Sequence, residues 1–528
     1  MSAADSLPLE KSAACLDIRE PGRSCSARTA PPSDLNLGGS SNPRFARQSA
    51  PATHCAKSYG AQHDVRLMTG LHVPLNRLGI NTQLNSAMRK FSQITLVGAV
   101  AGIILAASPL CYADFALTPY LGDMYRAGAG RSAAADDAST VFNNPAGMDQ
   151  LDGRQLMLDS QLYLSSSTFS NNGSTDVTGA PLTGGNGGDA GTNTLLPGLY
   201  YTNRLNSAWA FGVSVNVPFG LSTQWDQAWV GRYQAIRTGI ETLNINPAVS
   251  YRINDAWSVG AGVSAQYAKA KLSSAIDFGV LCLAVQAPAT CASLGLPGPQ
   301  SADGLIDLKG DDWGYGFNLG ALYARDKIRF GVSYRSSIDY TLTGDAKFTN
   351  PPQAAAFAPA FTNTKARVPL TLPDVASAGL YYQASDSLAV MTDLTWTRWS
   401  RFNELKVEFD NPAQPTQVYR RDWHDTWRFA LGFDYTLNPK WRLQWGAAYA
   451  DSAIPDSTFD PSIPTSNAYW LTVGARYAYS KSLGFGFGVN HIIFTSRSID
   501  HTGAFGDTLR GTVDSHLDVL GGQILWRL

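Results

Sequence analysis

The sequence has little charge and no excess of either sign. Only 16% of its 528 residues are charged, and 41 basic residues stand against 42 acidic ones, whereas ordinary soluble domains are about 25% charged. A nucleic-acid-binding protein needs an excess of Lys and Arg to neutralise phosphates, so this class is disfavoured. Intrinsic disorder is disfavoured as well, because 44% of the residues are hydrophobic.

The sequence also lacks hydrophobic runs long enough for transmembrane helices, which need about 20 residues. The one run worth considering, residues 94–107, has 14. It follows Met88-Arg89-Lys90 and leads into small residues before Asp114, a pattern typical of a secretory signal peptide over residues 88–113. Residues 1–87 would then be a non-native extension from an over-extended start site, the alternative being a genuine unstructured leader.

Cysteine is scarce, with six residues in the whole chain and four of them before Asp114. Cys282 and Cys291 remain in the mature part, in a segment that contains glycine and proline. In an exported protein such a nearby pair indicates a local disulfide, with a free pair as the alternative.

Glycine and aromatic residues are abundant, and they alternate with apolar ones. The sequence has 49 Gly, and 11% of it is aromatic. Between Trp257 and Tyr267 every second residue is apolar or aromatic, and the residues between are Ser, Gly and Gln. A row of about ten residues with aromatic residues at both ends is typical of a tilted transmembrane β-strand.

Fourteen segments of this kind follow one another, and short and long connections alternate between them. They begin near residues 155, 195, 207, 240, 256, 310, 328, 370, 387, 425, 440, 467, 482 and 516. Six short turns and seven long loops are typical of an outer-membrane barrel, and an open sheet would leave backbone groups unsatisfied in lipid. We therefore predict an all-β transmembrane barrel of about 14 antiparallel strands over residues 155–528, in the outer membrane of a Gram-negative bacterium.

Residues 114–154 are rich in alanine and not strand-like, with a helical tract expected around 131–138. We predict that they form an N-terminal, partly helical hatch that plugs the lumen; a periplasmic tail or a small outside domain is the alternative. The strand alternation turns charged side chains inward: Asp393, Arg428, Asp434, Arg442 and Arg476. Arg428 and Arg442 would suit a carboxylate ligand, or the arginines would pair with the inward acids or the hatch and fix the plug.

A resemblance to a known family rests on several motifs. The run AADDASTVFNNPAGM, residues 134–148, resembles the N-terminal hatch of the FadL family, outer-membrane transporters of long-chain fatty acids and other hydrophobic compounds. Further similar stretches are residues 231–235, 254–262, 310–320, 331–335, 370–374, 396–402 and 427–432. The resemblance covers residues 114–528 and implies a plugged barrel of fourteen strands, with ligand-gated diffusion past the hatch.

The resemblance also implies where a ligand is bound. Two apolar external loops would capture it, one containing Leu281 and Leu283 and the other containing Phe357 and Phe361, unless these loops pack only upon themselves. Phe115 corresponds to an aromatic at the hatch tip that meets the ligand in the family.

Two prolines mark the expected moving or broken parts of the structure. In Asn144-Pro145-Ala146 we expect a hinge-like lock for the hatch, because asparagine binds backbone in turns and proline fixes φ. Pro218 breaks the ladder near the external end of the third strand, where the family lets ligand leave sideways through a wall defect. A simple strand end is the alternative for Pro218.

Other functions are disfavoured by the motifs. His424-Asp425 has no evident partner set for hydrolysis, and no metal or cofactor motif occurs in a believable context, so we expect neither an enzyme nor a cofactor. The alternative function is a general porin or an aromatic-hydrocarbon channel. The expected partners are the hydrophobic ligand, outer-membrane lipid, lipopolysaccharide and the barrel assembly machinery, with no nucleic acid, and the expected state is a monomer.

Overall fold

The computed structural model describes residues 125–528. The upstream segment 1–87, the predicted signal peptide 88–113 and Phe115 lie outside the described residues. The strands are β1 (Arg154–Asn171), β2 (Thr194–Arg204), β3 (Trp209–Asn216), β4 (Gly220–Gln224), β5 (Arg237–Arg252), β6 (Trp257–Asp277), β7 (Asp303–Arg325), β8 (Ile328–Arg335), β9 (Ile338–Thr349), β10 (Thr364–Leu372), β11 (Val375–Gln383), β12 (Leu388–Thr397), β13 (Glu404–Phe409), β14 (Gln417–Arg420), β15 (Thr426–Asn438), β16 (Trp441–Ala450), β17 (Ala468–Ala478), β18 (Leu483–Phe494), β19 (Arg497–Thr502) and β20 (Thr508–Arg527).

These strands form one closed antiparallel barrel. The barrel has fourteen strand positions. At three of them two consecutive strands follow one another along the same position: β3 and β4, β8 and β9, and β10 and β11. β13 and β14 form an outside hairpin, and β19 pairs with the outer end of β20. Closure comes from β1 and β20, which pair from Gln155↔Arg527 to Asn171↔Gly511. The predicted fold class is confirmed.

The alternation of the sequence explains which side chains face lipid. On β6, Trp257 and Val263 are 45% and 61% exposed on the outside, while Ser258 and Gln266 are buried inside. Aromatic side chains pair across neighbouring strands at both ends of the wall, as membrane-interface girdles do: Trp209–Tyr251, Trp257–Tyr323 and Trp441–Tyr477 at the short-turn end, and Tyr267–Trp313 and Tyr449–Tyr469 at the loop end.

Some strands are longer than the hydrophobic pattern indicates. β7, β10 and β20 begin at Asp303, Thr364 and Thr508, earlier than the predicted 310, 370 and 516. Their outer ends pair with neighbours above the aromatic girdle, where Lys309 faces Asp345 and Asp345 faces Lys365. Charged residues outside the bilayer do not alternate with apolar ones, so this part of the ladder carries no hydrophobic signal.

The helices are short. They are α1 (Thr140–Asn143), α2 (Phe278–Val285) and α3 (Pro288–Ser293), with 3₁₀ helices at Pro145–Gln150, Pro352–Phe357, Trp399–Arg401 and Asp456–Thr458. None of the helices between residues 125 and 528 is long and apolar enough to cross a bilayer.

The hatch, residues 125–151, lies inside the barrel rather than outside it. Ala138, Val141 and Met148 of the hatch form one buried cluster with side chains of β1, β2, β3 and β5. The predicted helical tract 131–138 is wrong, because residues 131–133 are turns, residues 134–139 are not helical, and α1 begins only at Thr140. Within this tract Ala135 has a φ of 47°, which a right-handed α-helix does not permit.

Candidate ligand pathway inside the barrel

Asn144 fastens the hatch to the barrel wall. Its Nδ2 donates to the carbonyl oxygen of Ser132 at 2.7 Å and to that of Ala321 on β7 at 3.1 Å. Its Oδ1 accepts from the N–H of Ala146 at 3.1 Å. Pro145 is the first residue of the 3₁₀ helix, where a missing N–H costs no hydrogen bond.

Two glycines of the wall allow the hatch to come this close. A Cβ at Gly320 would overlap Oδ1 of Asn144, and a Cβ at Gly331 would overlap the carbonyl oxygen of Ser132. Any larger residue at either position would push the hatch inward. At the predicted lock, residues 144–146, the hatch thus lies in close contact with the barrel wall through Asn144 and Ser132. Whether the hatch moves there stays a prediction.

An ion-pair network holds the other part of the hatch, at the short-turn end of the barrel. Asp136 of the hatch accepts Arg476 at 3.1 Å, Arg126 at 3.4 Å and Arg442 at 3.6 Å, and Asp137 accepts Arg476 at 2.6 Å. Arg126 reaches back from the hatch to Asp434 of β15 at 3.2 Å, and Arg442 lies 3.6 Å from the same carboxylate. The inward arginines of the wall therefore bind the hatch.

The charges around Asp136 keep it ionised. Burial alone would raise the pKa of this carboxyl, but the guanidinium groups of Arg126, Arg476 and Arg442 outweigh burial and hold its pKa well below its usual range. Asp136 is the carboxylate that Arg126, Arg442 and Arg476 share. Its removal would therefore increase the repulsion among these three cations.

The inner cavity lies on the loop side of the hatch. Its empty volume is about 730 Å³, counting its open mouth. Apolar and aromatic side chains dominate its lining: Trp399, Trp423, Ile454, Trp470 and Phe494. Trp399 and Trp423 meet edge to face, with ring centroids 5.1 Å apart.

Two arginines stand at the hatch end of the inner cavity. Arg428 of β15 lies 5.4 Å from the ring centroid of Trp470 and donates to the carbonyl oxygen of Ala127 in the hatch. Arg131 comes from the hatch itself. Asp393 lies on the inner side of the wall and accepts the N–H of Ser132 at 3.0 Å. The cavity thus combines an apolar body with a cationic end.

A second, outer cavity lies nearer the loops. Its empty volume is about 720 Å³, and its lining is largely aliphatic, with Leu221, Ile240, Leu272, Leu308, Val368 and Leu405. Leu272, Leu308 and Val368 also belong to the apolar cluster of the extracellular loops. The outer cavity therefore continues this cluster inward.

The extracellular apolar cluster joins the two predicted capture loops. Cys282 of α2 and Cys291 of α3 form a disulfide. Phe278, which begins α2, contacts Phe357 and Phe361 of the other loop, with ring centroids 5.8 and 5.0 Å apart. Leu281 and Leu283 pack at the margin of the same cluster and are only partly buried, as are Phe357 and Phe361. The loops pack on each other and still present apolar surface.

The barrel wall is broken between β3 and β4. The ladder between β2 and β3 ends at Leu199↔Val215, and β4 pairs with β5 alone among the described strands. Within residues 125–528, positions 194–198 of β2 therefore have no ladder partner on this side. The backbone of Phe219 forms hydrogen bonds with the side chain of Thr242 on β5 instead. The hydroxyl group of Thr242 donates to the carbonyl oxygen of Phe219 at 2.6 Å and accepts its N–H at 3.0 Å.

A further cavity, here called the wall cavity, extends from this break to β7, β8 and β11, and its empty volume is about 520 Å³, counting its open mouth. Pro218 and Phe219 of the break, Phe142 and Asn143 of the hatch, and two arginines, Arg131 and Arg335, line it together with residues of these three strands. Arg131 also lines the inner cavity, so the two cavities meet at this residue.

Comparison with known proteins decides the family. A family model described as outer membrane protein transport protein (OMPP1/FadL/TodX) matches residues 114–527. The chain belongs to this family. It is accordingly an outer-membrane protein. The predicted family and the predicted location are confirmed.

Several members of the FadL family are similar over most of their length. The long-chain fatty acid transport protein of Escherichia coli O6:H1 is 30% identical over 76% of this chain and 91% of that protein. Outer membrane protein P1 of Haemophilus influenzae is 28% identical over 77% and 90%. A crystal structure of a Pseudomonas aeruginosa FadL homologue has a TM-score of 0.73 and 25% identity, and covers 78% of this chain and 99% of that one. That of the Ralstonia pickettii toluene transporter TbuX has a TM-score of 0.55 and 20% identity, over 77% and 98%.

Of the two arginines predicted as ligand contacts, the structure places only Arg428 beside the inner cavity. Arg442 lies in the ion-pair network, because Asp136 and Asp434 attract its guanidinium to the short-turn side of the hatch. The alternative stated for the inward arginines, that they fix the plug, describes Arg442 and Arg476. Phe115 lies outside the described residues and stays a prediction.

The prediction missed Arg131, Arg335 and two of the cavity tryptophans. Trp399 and Trp423 lie in outer connections, where no alternation shows which way a side chain points. Arg335 occupies an inner position of β8, and its register could have added it to the inward charges. Arg131 had no such signal, because the path of the hatch does not follow from a periodicity.

Proposed function

We propose that this member of the FadL family carries long-chain fatty acids or similar hydrophobic molecules across the outer membrane, by diffusion past the luminal hatch. The inner cavity is the observation that carries the proposal. It is an aromatic pocket closed by the hatch, and Arg131 and Arg428 stand at its closed end.

The apolar sites lie in an order that suits such a ligand. The extracellular cluster offers partly exposed Phe and Leu side chains, and the outer cavity continues it inward with aliphatic ones. Each CH₂ group taken out of water contributes about 0.8 kcal/mol, so an alkyl chain is drawn from the loops towards the inner cavity. The cationic end of that cavity suits a carboxylate through charge-assisted hydrogen bonds.

A lateral exit is part of the proposal. Straight passage would require the ion-pair network around Asp136 to open, whereas the wall cavity already adjoins the break at Pro218. A ligand leaving through this break would enter the bilayer and avoid the aqueous periplasm.

The second candidate function is a channel for aromatic hydrocarbons. TbuX is described as a toluene transporter, and CymD, whose structure has a TM-score of 0.55, as a monoaromatic hydrocarbon channel. The largely aliphatic lining of the outer cavity favours such neutral ligands. The two arginines of the inner cavity favour the fatty acid.

Filling the inner cavity tests the proposal. Ala468 is buried and faces this cavity, and Leu471 on the same strand is 57% exposed on the lipid face. Ala468→Phe should slow the uptake of labelled oleic acid severalfold in a host without its own transporter, and Leu471→Phe should leave the uptake rate unchanged. Mass spectrometry of protein purified in mild detergent should find a bound lipid in the wild type. Equal uptake by both variants would contradict a route through the inner cavity.

The remaining expectations belong to the same proposal. The mature chain would start at Asp114 after removal of the signal peptide 88–113, with residues 114–154 as hatch and 155–528 as barrel, and it would act as a monomer among lipopolysaccharide after insertion by the barrel assembly machinery. We propose no catalytic role. The Nδ1 atom of His424 lies 3.1 Å from the backbone oxygen of Asp425.

A further inference from the structure

We propose that the wall cavity is a second anion site, where Arg131 and Arg335 hold the carboxylate of the ligand beside the wall break before it leaves the barrel. This inference rests on the proposed function and narrows its substrate class to hydrophobic molecules with an anionic end. A neutral hydrocarbon would have no use for these two cations.

Arg335 is a cation whose described hydrogen bonds reach only neutral oxygen atoms. Its Nη1 donates to Oγ of Ser264 at 2.9 Å, and its Nη2 donates to the carbonyl oxygen of Phe142 at 2.8 Å and to Oδ1 of Asn246 at 3.3 Å. No carboxylate of the described residues forms an ion pair with it. Arg131, which lines the same cavity, is another cation.

The guanidinium of Arg335 is also held in a fixed orientation. Its carbon lies 3.8 Å from the ring centroid of Phe142, so the group stacks on the aromatic face. A guanidinium held in place loses little side-chain freedom when it donates a charge-assisted hydrogen bond to a carboxylate. Arg335 is therefore already arranged for an anion.

Arg131 connects this site with the inner cavity, because it lines both. A carboxylate held between Arg428 and Arg131 could thus pass to a position between Arg131 and Arg335 without losing all cationic contact. Burying a bare carboxylate carries a large desolvation penalty, and this arrangement avoids it along the path.

The position of the site matches an exit. Pro218 and Phe219 of the wall break line the same cavity as Arg335. With the carboxylate at the arginines, the alkyl chain can extend through the break into lipid. The apolar end then leaves first and the charged end last.

The experiment compares an acid with a neutral analogue of the same chain. Initial uptake of labelled oleic acid and of labelled oleyl alcohol is measured in cells that lack their own transporter and produce the full chain as wild type, Arg335→Gln, Arg335→Lys or Arg329→Gln. Arg329 is the matched control, because it lies on the same strand and also donates to a hatch carbonyl, that of Ala134, but is not among the residues that line the wall cavity. Heat-dependent gel mobility shows that each barrel is folded and equally abundant.

We expect Arg335→Gln to lower oleic acid uptake about tenfold, because a charged pair is lost, and to leave oleyl alcohol uptake unchanged. Arg335→Lys keeps the charge but not the stacked guanidinium, so it should lower the acid uptake less than Arg335→Gln does. Arg329→Gln should not change the ratio of the two rates. An equal loss of both ligands in Arg335→Gln would mean that Arg335 only anchors the hatch and would overturn the inference, as would no loss of either. A wild type that carries only the alcohol would refute the fatty-acid function itself and this inference with it.

Discussion

Asp136 is the residue on which the short-turn side of the hatch depends. It is the shared partner of Arg126, Arg442 and Arg476, which come from the hatch itself and from two wall strands. A buried ion pair contributes little net stability compared with apolar packing, but breaking one is costly, because charges are left without their partner. The network therefore fixes where the hatch lies more than it stabilises the barrel.

Replacing this carboxylate should loosen the plug. Asp136→Asn should weaken hatch attachment by about 1.5–3 kcal/mol, the contribution of hydrogen bonds to a charged group, because Arg126 and Arg442 keep Asp434 and Arg476 keeps Asp137. The barrel should stay folded. The measurement is ion conductance in planar bilayers, which should be low for the wild type and clearly higher for the variant. The control is Asp456→Asn, which removes a partner of Arg497 but whose side chain is 95% exposed. Equal conductance of both variants would show that the network does not hold the hatch.

For single residues, the sequence predicts whether a side chain points into the barrel better than it predicts which residue that side chain contacts. Period two turned Asp393, Asp434 and Arg442 inward, and the structure places all three on the inner side of the wall. It could not show that Arg442 meets Asp136, because this depends on the path of a hatch whose turns follow no period. For the same reason the sequence could not show that Arg131 lines the inner cavity and the wall cavity.

Among the elements, α2 and α3 form the lip of the proposed entrance. Their disulfide closes a short loop, and cross-links of this kind contribute about 2–4 kcal/mol by restricting the unfolded chain. Phe278 then packs between this loop and the one that carries Phe357 and Phe361. The apolar surface is thereby held in one place, although water surrounds it.

Charging this surface should reduce capture without harming the barrel. The double variant Phe357→Asp and Phe361→Asp should lower oleic acid uptake severalfold at low ligand concentration, because a charged surface no longer attracts an alkyl chain. Val177→Asp is the control, since Val177 is an exposed apolar residue of another loop. Uptake is measured against ligand concentration, with gel mobility as the test of folding. Unchanged uptake would mean that the two loops pack only upon themselves.

Elements differ in how far they can be predicted. The transmembrane strands follow from alternation and girdles, and β6 begins at Trp257 close to the predicted 256. The outer extensions of β7, β10 and β20 do not, because polar pairing above the membrane needs no apolar face. The break at Pro218 was visible in the sequence as a proline, but the short ladder of β2 that makes it an opening was not.

As a whole, the barrel is the part of the molecule that sequence reasoning reaches best. Lipid permits no open edge, so a set of fourteen alternating segments has to close, and β1 does pair with β20. The lumen is different, because several arrangements of Gly, Ser and charged residues would satisfy it. The cavities are the spaces that one particular hatch path leaves.

The plug should withstand acid. A carboxyl whose pKa is lowered in the folded protein contributes stability that is fully present above its unfolded value, about 4, and that is lost only as the pH falls through the lowered folded value. The pKa of Asp136 is held well below its usual range, because Arg126, Arg476 and Arg442 outweigh burial. Conductance in planar bilayers should therefore stay low from pH 7 down to about 4. A steep rise between pH 6 and 5 would contradict this assignment, since another group would have to control the hatch.

The missing ladder between β2 and β4 makes the cylinder mechanically uneven. Where neighbouring strands share a full ladder, a sideways load has to break many backbone hydrogen bonds together. Along residues 194–198 that resistance is absent on one side. Pressure from crowded neighbours, or strain during insertion, would part the cylinder along this seam first, so its greatest compliance lies where the proposed cargo departs.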